Sequence, residues 1–175
     1  MTAEKKEILT QMADLIRKEC HTPDNNKNLE DTVIKLGGRV SYTLKLRRFD
    51  DCQVATRKGM FTIEVSQEKG YEERTVDIAR GIGYMLGYLD KLDTLWNGYL
   101  IPDEAERSQA SAFIPLFLMP EKLFLEQLRA QTNGDFVDTG KVAKFFHVPM
   151  DYAIQRGKQL DYLETARHIP NIEER

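Results

Sequence analysis

The chain has 175 residues, of which 41% are hydrophobic and 30% charged, enough to build the core of one ordinary globular domain. Its formal net charge of −3 argues against the strongly basic surface that is typical of general nucleic-acid binders. No run of about 18 apolar residues and no signal-peptide pattern is visible, and two isolated cysteines cannot form a disulfide framework, which together predict a cytoplasmic protein without a membrane span.

Two helices are predicted at the start of the chain. The first covers residues 3–18, where apolar residues recur at the spacing of one helix face (Ile8, Met12, Leu15 and Ile16). The polar sequence HTPDNNKN predicts a loop, and a second helix over 29–36 ends at Gly37 and Gly38.

The period then changes to that of β-strands. Alternation over residues 39–46 predicts a half-buried strand with Val40, Tyr42, Leu44 and Leu46 on one face. Two further strands are predicted about a turn at Lys58–Gly59, and the inner face of the second carries Phe61, Ile63 and Val65.

The remainder of the chain has helical patterns. They predict helices over 72–90, 103–118, 120–131, 141–146 and 150–164, with an apolar loop at 95–102 and a turn-rich break at 132–140. Pro115 is expected to bend or end its helix near Ile114. Consecutive strands followed by helices predict an α+β fold: a small three-stranded antiparallel sheet packed against a helical core. We divide the chain into an N-terminal helix and loop (1–27), a central domain (28–132) and a C-terminal helical segment (133–175).

Two phrases in register with each other resemble the ImmA/IrrE family of metallopeptidase-like proteins. Residues 78–84 read IARGIGY where the family has IAHELGH, and residues 109–120 read QASAFIPLFLMP where the family has a pattern like EAxxFAxxLLMP. The closing segment VAKFFHVPMDYAIQRGKQLDYL is also similar, so that the resemblance spans about 29–163. It implies a zincin-like scaffold.

In that family, two histidines of one helix and a distant carboxylate hold Zn²⁺, and a glutamate acts as general base on the metal-bound water. The resemblance places Arg80 and Tyr84 at the histidine positions, Gly81 at the glutamate and Gln109 at the distant carboxylate. A guanidinium has no acceptor, glycine has no side chain and an amide lacks the charge. We therefore expect no zinc, no cofactor and no hydrolysis.

A displaced metal site is less favoured than ordinary roles for the remaining candidates. The three histidines, His21, His147 and His168, are too scattered to form an i, i+4 pair, and His147 is expected to cap or pack between the last helices. Acidic residues that flank the degenerate helix or open the next one are typical of helix N-termini (Asp77, Asp90, Asp93, Asp103, Glu104 and Glu106).

For Arg80 we make a separate hypothesis. We expect its guanidinium to fill the vacated metal pocket, near Tyr84 and within reach of Gln109. The alternative is a surface arginine without a role. The glycines of the same helix are expected to allow close packing, with Gly83 letting a neighbouring element approach and Gly81 and Gly87 left where neighbours close in.

The resemblance implies a helix-turn-helix repressor of a phage, mobile element or stress response as partner. We therefore expect a catalytically inactive homologue that acts by protein binding, for example as an antirepressor. The apolar loop offers a contact surface, Trp96, Tyr99, Leu100 and Ile101, unless it folds back onto the core. An alternative is DNA binding by the last two helices through Lys141, Lys144, Arg156 and Lys158, although the acidic composition argues against it. The sequence leaves the oligomeric state open.

Overall fold

The computed structural model of the chain describes residues 2–44, 46, 52–94, 97–134 and 136–162, without the side chains of Lys91 and Asp93. Seven α-helices are present in the described part: α1 Ala3–Glu19, α2 Leu29–Lys35, α3 Tyr71–Met85, α4 Glu104–Leu118, α5 Glu121–Ala130, α6 Thr139–Phe146 and α7 Met150–Gln159. The strands are β1 Gly38–Thr43, β2 Cys52–Arg57, β3 Met60–Ser66, β4 Gly98–Tyr99, β5 Thr132–Asn133 and β6 Phe136–Val137. No described helix has the length and apolar composition required to cross a membrane.

The main sheet has four strands in the order β1-β3-β2-β4, and it is mixed. Strand β3 pairs parallel to β1 and antiparallel to β2, so the prediction of a three-stranded antiparallel sheet is wrong. The inner residues of β3, Phe61, Ile63 and Val65, are each fully buried, as predicted. Because β3 holds the most apolar inner face, the central position covers it on both edges, and β1 must then skip its sequence neighbour β2.

The predicted alternation of β1 is wrong at its far end. Val40 is partly buried, but Tyr42 and Leu44 are 43% and 68% exposed, and the strand ends at Thr43. Strand β1 lies at the edge of the sheet and, among the described strands, has a neighbour on one side only. The alternation of apolar residues therefore extends past the part of the strand that is buried.

Helix α3 lies between the sheet and α4, and its interior is almost entirely buried. Helix α1 packs against α4 through Leu9, Ala13 and Ile16. The core thus forms from one face of the sheet, α3, and the apolar second half of α4, which carries Phe113 and Phe117.

Several predicted boundaries are wrong for identifiable reasons. Helix α3 ends at Met85 rather than Asp90, and a 3₁₀ helix follows over Leu89–Thr94. Residues 98–99 of the predicted loop form β4, because they complete the outer edge of β2. The turn-rich break contains the β5–β6 pair. Helix α7 ends at Gln159, and the predicted continuation beyond residue 162 lies outside the described residues.

Pro115 does not end its helix, which continues to Leu118. A proline removes one main-chain donor, yet Met119 still donates its N–H to the Pro115 carbonyl at 3.1 Å. Burial of Ile114, Leu116, Phe117 and Leu118 stabilises the last turn.

Candidate functional site

The glycines of α3 allow two close contacts at the centre of the fold. A Cβ on Gly81 would lie 2.5 Å from Cγ2 of Ile63, so α3 sits directly on β3. A Cβ on Gly83 would lie 3.0 Å from Cα and Cβ of Ala110, so α3 and α4 meet almost main chain to main chain. These contacts agree with the predicted role of both glycines. Gly87 differs, because its Cβ would meet nothing within 4 Å, and the prediction of close neighbours there is wrong.

The Gly83–Ala110 contact brings the sequence-predicted site residues to one helix junction. Arg80 and Tyr84 lie one turn apart on α3 on either side of Gly83, and Gln109 precedes Ala110 on α4. All three side chains are partly buried, whereas Gly81 is buried beneath them against the sheet.

Arg80 reaches toward the C-terminal segment. Its Nη2 donates a hydrogen bond to the Tyr152 hydroxyl of α7 at 3.4 Å, near the upper limit for such a bond. The sequence analysis did not indicate Tyr152 as a partner, and the structure shows it partly buried at the border of the core. The guanidinium is therefore held within the fold rather than directed only at bulk water. Its predicted contacts with Tyr84 and Gln109 stay predictions.

A second polar link joins Tyr88, three residues after the end of α3, to the first turn of α4. Tyr88 donates its hydroxyl hydrogen to Oε1 of Glu106 at 2.7 Å, and this bond, with burial and the carboxylate charge, raises the pKa of Tyr88. The other oxygen of Glu106 accepts the N–H of Asp103 at 2.9 Å, while Asp103 caps α4 by accepting from the N–H of Glu106. Asp103 and Glu106 thus have an ordinary role at a helix N-terminus, as predicted, and the structure adds that they form a capping box.

Two of the residues considered for a displaced metal site, Asp77 and His147, have other partners. The buried carboxylate of Asp77 pairs with Nζ of Lys69 at 2.7 Å. His147 ends α6 in the left-handed conformation, and its Nδ1 lies 2.7 Å from the Asn25 carbonyl oxygen, which confirms the predicted capping role. His168 lies outside the described residues. Within the described ranges, no three residues among histidine, cysteine, aspartate and glutamate are grouped for a metal ion.

The predicted partner surface divides into residues with different environments. Trp96 lies outside the described residues. Tyr99 is partly buried and donates its hydroxyl hydrogen to the Glu64 carboxylate across the sheet at 3.2 Å, while the N–H of Leu100 donates to the Val54 carbonyl at 2.8 Å. Ile101 is 62% exposed. Of the described members, Ile101 is the one available as an apolar contact.

A buried polar network at the C-terminal end of α4 was not predicted. The guanidinium of Arg17 donates to the carbonyls of Phe117 and Pro23 and to Oδ1 of Asn26, at 2.8–2.9 Å. The amide of Asn26 in turn donates to the carbonyls of Leu118 and Phe146, at 2.8 and 2.9 Å. Charge-assisted bonds of this length, made by buried groups, mark a structural junction rather than a binding surface.

Arg156 belongs to the same junction, which corrects its predicted role as a DNA contact. Its side chain is 2% exposed, and its Nε donates to the Met119 carbonyl at 3.0 Å. Burial lowers the pKa of this guanidinium, although the charge of Glu121 opposes the effect. A buried arginine cannot reach a phosphate.

Comparison with known proteins adds no assignment, because no protein-family model matches the sequence and no curated protein matches it either. The junction of α3, α4 and α7 stands as the candidate site on its geometry and side-chain chemistry.

Proposed function

We propose that this protein is an ImmA/IrrE-like scaffold that lacks the metal chemistry and acts in the cytoplasm by binding a regulatory protein, of which a helix-turn-helix repressor is the expected example. The observation that carries the proposal is the direct contact of α3 with α4 at Gly83 and Ala110. This contact supports the proposal because it lies next in the chain to Tyr84 and Gln109 and one turn from Arg80, the residues that the resemblance assigns to the motif positions.

The side chains at this junction support binding rather than bond cleavage. Arginine cannot accept a metal or a proton at neutral pH, and a tyrosine phenol titrates near pH 10, so neither replaces a neutral imidazole. Gly81 offers no general base. The partly buried guanidinium, phenol and amide retain hydrogen-bonding capacity, which is the chemistry of recognition.

The neighbouring surface supplies an apolar anchor. Ile101 follows β4 at the outer edge of the sheet and precedes α4, so it lies on the segment that leads into the candidate site. Among the described residues of the predicted contact surface, Ile101 is the one that is exposed, which supports its use as an anchor. We therefore expect the partner to bind at the segment around Ile101 and the start of α4.

The scaffold part of the proposal is tested by rebuilding the ligands. The triple variant R80H/Y84H/Q109E is expected to take up one zinc ion per chain, measured by metal analysis after dialysis. The single variant R80H provides one ligand and should retain none. A folded triple variant without zinc contradicts the assigned scaffold. The general base is left out because any side chain at Gly81 would collide with Ile63.

The binding part is tested by affinity capture from the native host with mass spectrometry. We expect a DNA-binding regulator to be retained by the wild-type chain and lost with I101D, which puts a charge at the anchor. The matched control is L15D, since Leu15 is 58% exposed on α1, away from the site. Failure to retain a regulator, or equal retention by I101D, contradicts the proposed partner surface.

A further inference from the structure

Asparagine is followed by glycine at two places in the sequence, Asn97–Gly98 and Asn133–Gly134. In such a pair the main-chain nitrogen of the glycine can attack the side-chain amide carbon of the asparagine, because glycine has no Cβ that would hinder the approach. Asparagine is accordingly a thermolabile residue. The structure gives the two pairs different surroundings, and the difference decides which of them can react.

The first pair is held in place by the main sheet. Oδ1 of Asn97 accepts the main-chain N–H of Lys58 at 2.9 Å, and Gly98 is a partly buried residue of β4 that pairs with Thr56. The carbonyl oxygen of Gly98 also accepts the Thr56 hydroxyl at 3.3 Å. The Gly98 nitrogen can therefore approach the Asn97 side chain only if the amide leaves Lys58 and β4 moves.

The second pair lies at the tip of the β5–β6 hairpin. Asn133 is paired with Phe136, so residues 134–135 form the turn, and Gly134 has a φ of +60°. The N–H of Asp138 donates to the Gln131 carbonyl at 3.0 Å. Hydrogen-bonded pairs alternate along an antiparallel ladder, so Asn133 and Phe136 also form such a pair, and the N–H of Gly134 is not part of the ladder.

This tip is little restrained. Within the described ranges, the exposed side chain of Asn133 makes no hydrogen bond, and a Cβ on the exposed Gly134 would meet nothing within 4 Å. The hairpin has two residues in each strand and pairs with no other described strand. An isolated ribbon of this kind has little stability of its own, so the tip opens at low cost and the Asn133 side chain can turn toward the Gly134 nitrogen.

We propose that Asn133 is a site of spontaneous deamidation and that the fold protects Asn97 from the same reaction. The Gly134 nitrogen loses its proton to hydroxide and bonds to Cγ of Asn133, while the Cγ–Nδ2 bond breaks and Nδ2 leaves as ammonia with a proton from water. The reacting groups are neighbours in the chain, so the step is intramolecular. Water then opens the cyclic imide: cleavage at Cγ gives aspartate, and cleavage at the main-chain carbonyl gives isoaspartate.

The modification changes the connection between α5 and α6. Isoaspartate carries the main chain through its side chain and lengthens it by one methylene group, so the Asn133–Phe136 pair cannot keep its register. Both products also add a negative charge. The hairpin is the start of the C-terminal segment, which carries Tyr152 of the candidate site, so the reaction alters the link between this segment and the central domain.

The proposal is tested by incubation of the folded full chain at mildly alkaline pH, because base removes the amide proton. Peptide mapping by mass spectrometry follows the replacement of the side-chain NH₂ by OH at both asparagines. We expect the product to form at least about tenfold faster at Asn133 than at Asn97, since Asn97 must first break its bond to Lys58. In urea the two rates should agree within about threefold, because the surroundings that separate them are lost.

The matched variant is N133Q, whose longer side chain disfavours the cyclic imide at an exposed position. It should give no product at residue 133 and an unchanged rate at Asn97. Equal rates at the two sites of the folded chain, or no product at Asn133, overturns the proposal. Aspartate without isoaspartate overturns it as well, because that result means direct hydrolysis of the side chain.

The change in the connection is tested by hydrogen exchange at the N–H of Asp138, which donates to the Gln131 carbonyl in the unmodified hairpin. We expect the chain with isoaspartate at residue 133 to lose this protection. N133D is the control, since it adds the charge without the methylene group and should keep the protection. Equal protection in the two chains contradicts the expected change in the hairpin.

Discussion

At the C-terminal end of α4, Arg17, Asn26 and Arg156 are buried and donate to main-chain carbonyls at 2.8–3.0 Å. At the contact of α3 with α4, the side chains of Arg80, Tyr84 and Gln109 are partly buried, and Arg80 makes a bond of 3.4 Å to Tyr152 of α7. Both regions are joined to α7, the first from the end of α4 through Arg156 and the second from α3 through Arg80, but the groups differ in accessibility. The hydrogen bonds of the buried groups described above all go to the fold, although Nη1 of Arg156 has no hydrogen-bond partner among the described residues. Partly exposed groups can exchange a long bond for one with a partner.

The largest expected effect is the loss of Asn26. N26A removes the donor to the Leu118 and Phe146 carbonyls and leaves Arg17 one acceptor short, so we expect the free energy of unfolding to fall by about 3–5 kcal/mol. Urea denaturation measures the change. The control N25A removes a side chain that accepts one exposed bond, and it should cost less than about 1 kcal/mol. Equal losses would show that the buried network of Asn26 contributes no more to stability than an exposed bond.

The packing of α3 is tested with a pair of glycines. G81A puts a methyl group 2.5 Å from Cγ2 of Ile63, and we expect a loss of about 1–3 kcal/mol in unfolding free energy. G87A, where the space is open, should change stability by less than about 0.5 kcal/mol. If I63A partly offsets the cost of G81A in a double-mutant cycle, the contact is direct. Similar costs for the two glycines would contradict it.

Replacement of Arg156 separates a structural arginine from a nucleic-acid contact. R156M keeps most of the buried volume but leaves the Met119 carbonyl without its donor, so we expect a loss of about 1–2 kcal/mol in thermal or urea unfolding. K158M, at an exposed position of the same helix, should leave stability unchanged. If R156M is stable but its retention on duplex DNA changes, the structural role is contradicted and Arg156 is a nucleic-acid contact.

The smallest expected effect is at the candidate site itself. Y152F removes the acceptor of Arg80, and because this bond is long and partly exposed, the stability loss should stay below about 0.5 kcal/mol. Retention of the captured regulator is expected to change more than stability does. The exposed Y162F is the control for both measurements. A loss of several kcal/mol would assign Tyr152 to the core instead.

Local patterns predicted most elements, because each depends on a short stretch of sequence. The amphipathic spacing in α1, the two glycines after α2 and the alternation in β3 were sufficient, and the predicted helices and strands are present within a few residues. The capping of α4 by Asp103 and Glu106 also follows from sequence, since a capping box lies within four residues.

The order of strands in the sheet and the buried polar network could not be predicted from local sequence patterns. Nothing in residues 38–66 states that β1 pairs with β3 rather than β2, because pairing depends on which face is covered by α3. Asn26 resembles any loop asparagine, and Arg17 any arginine of an amphipathic helix. Their partners in α4 and α6 are 92 and 120 residues away from Asn26 and 100 from Arg17, so no local pattern indicates the network.

By itself, the sequence determined the α+β composition, the helix with three glycines and the identity of the side chains at positions 80, 81, 84 and 109. The tertiary structure decided where they lie: Gly83 against Ala110, Gly81 beneath them on Ile63, and Arg80 directed toward Tyr152. The physical reason is the distance along the chain over which the interactions act. Helix and strand periodicity comes from neighbours in the chain, whereas a junction of three helices depends on which apolar faces are buried together.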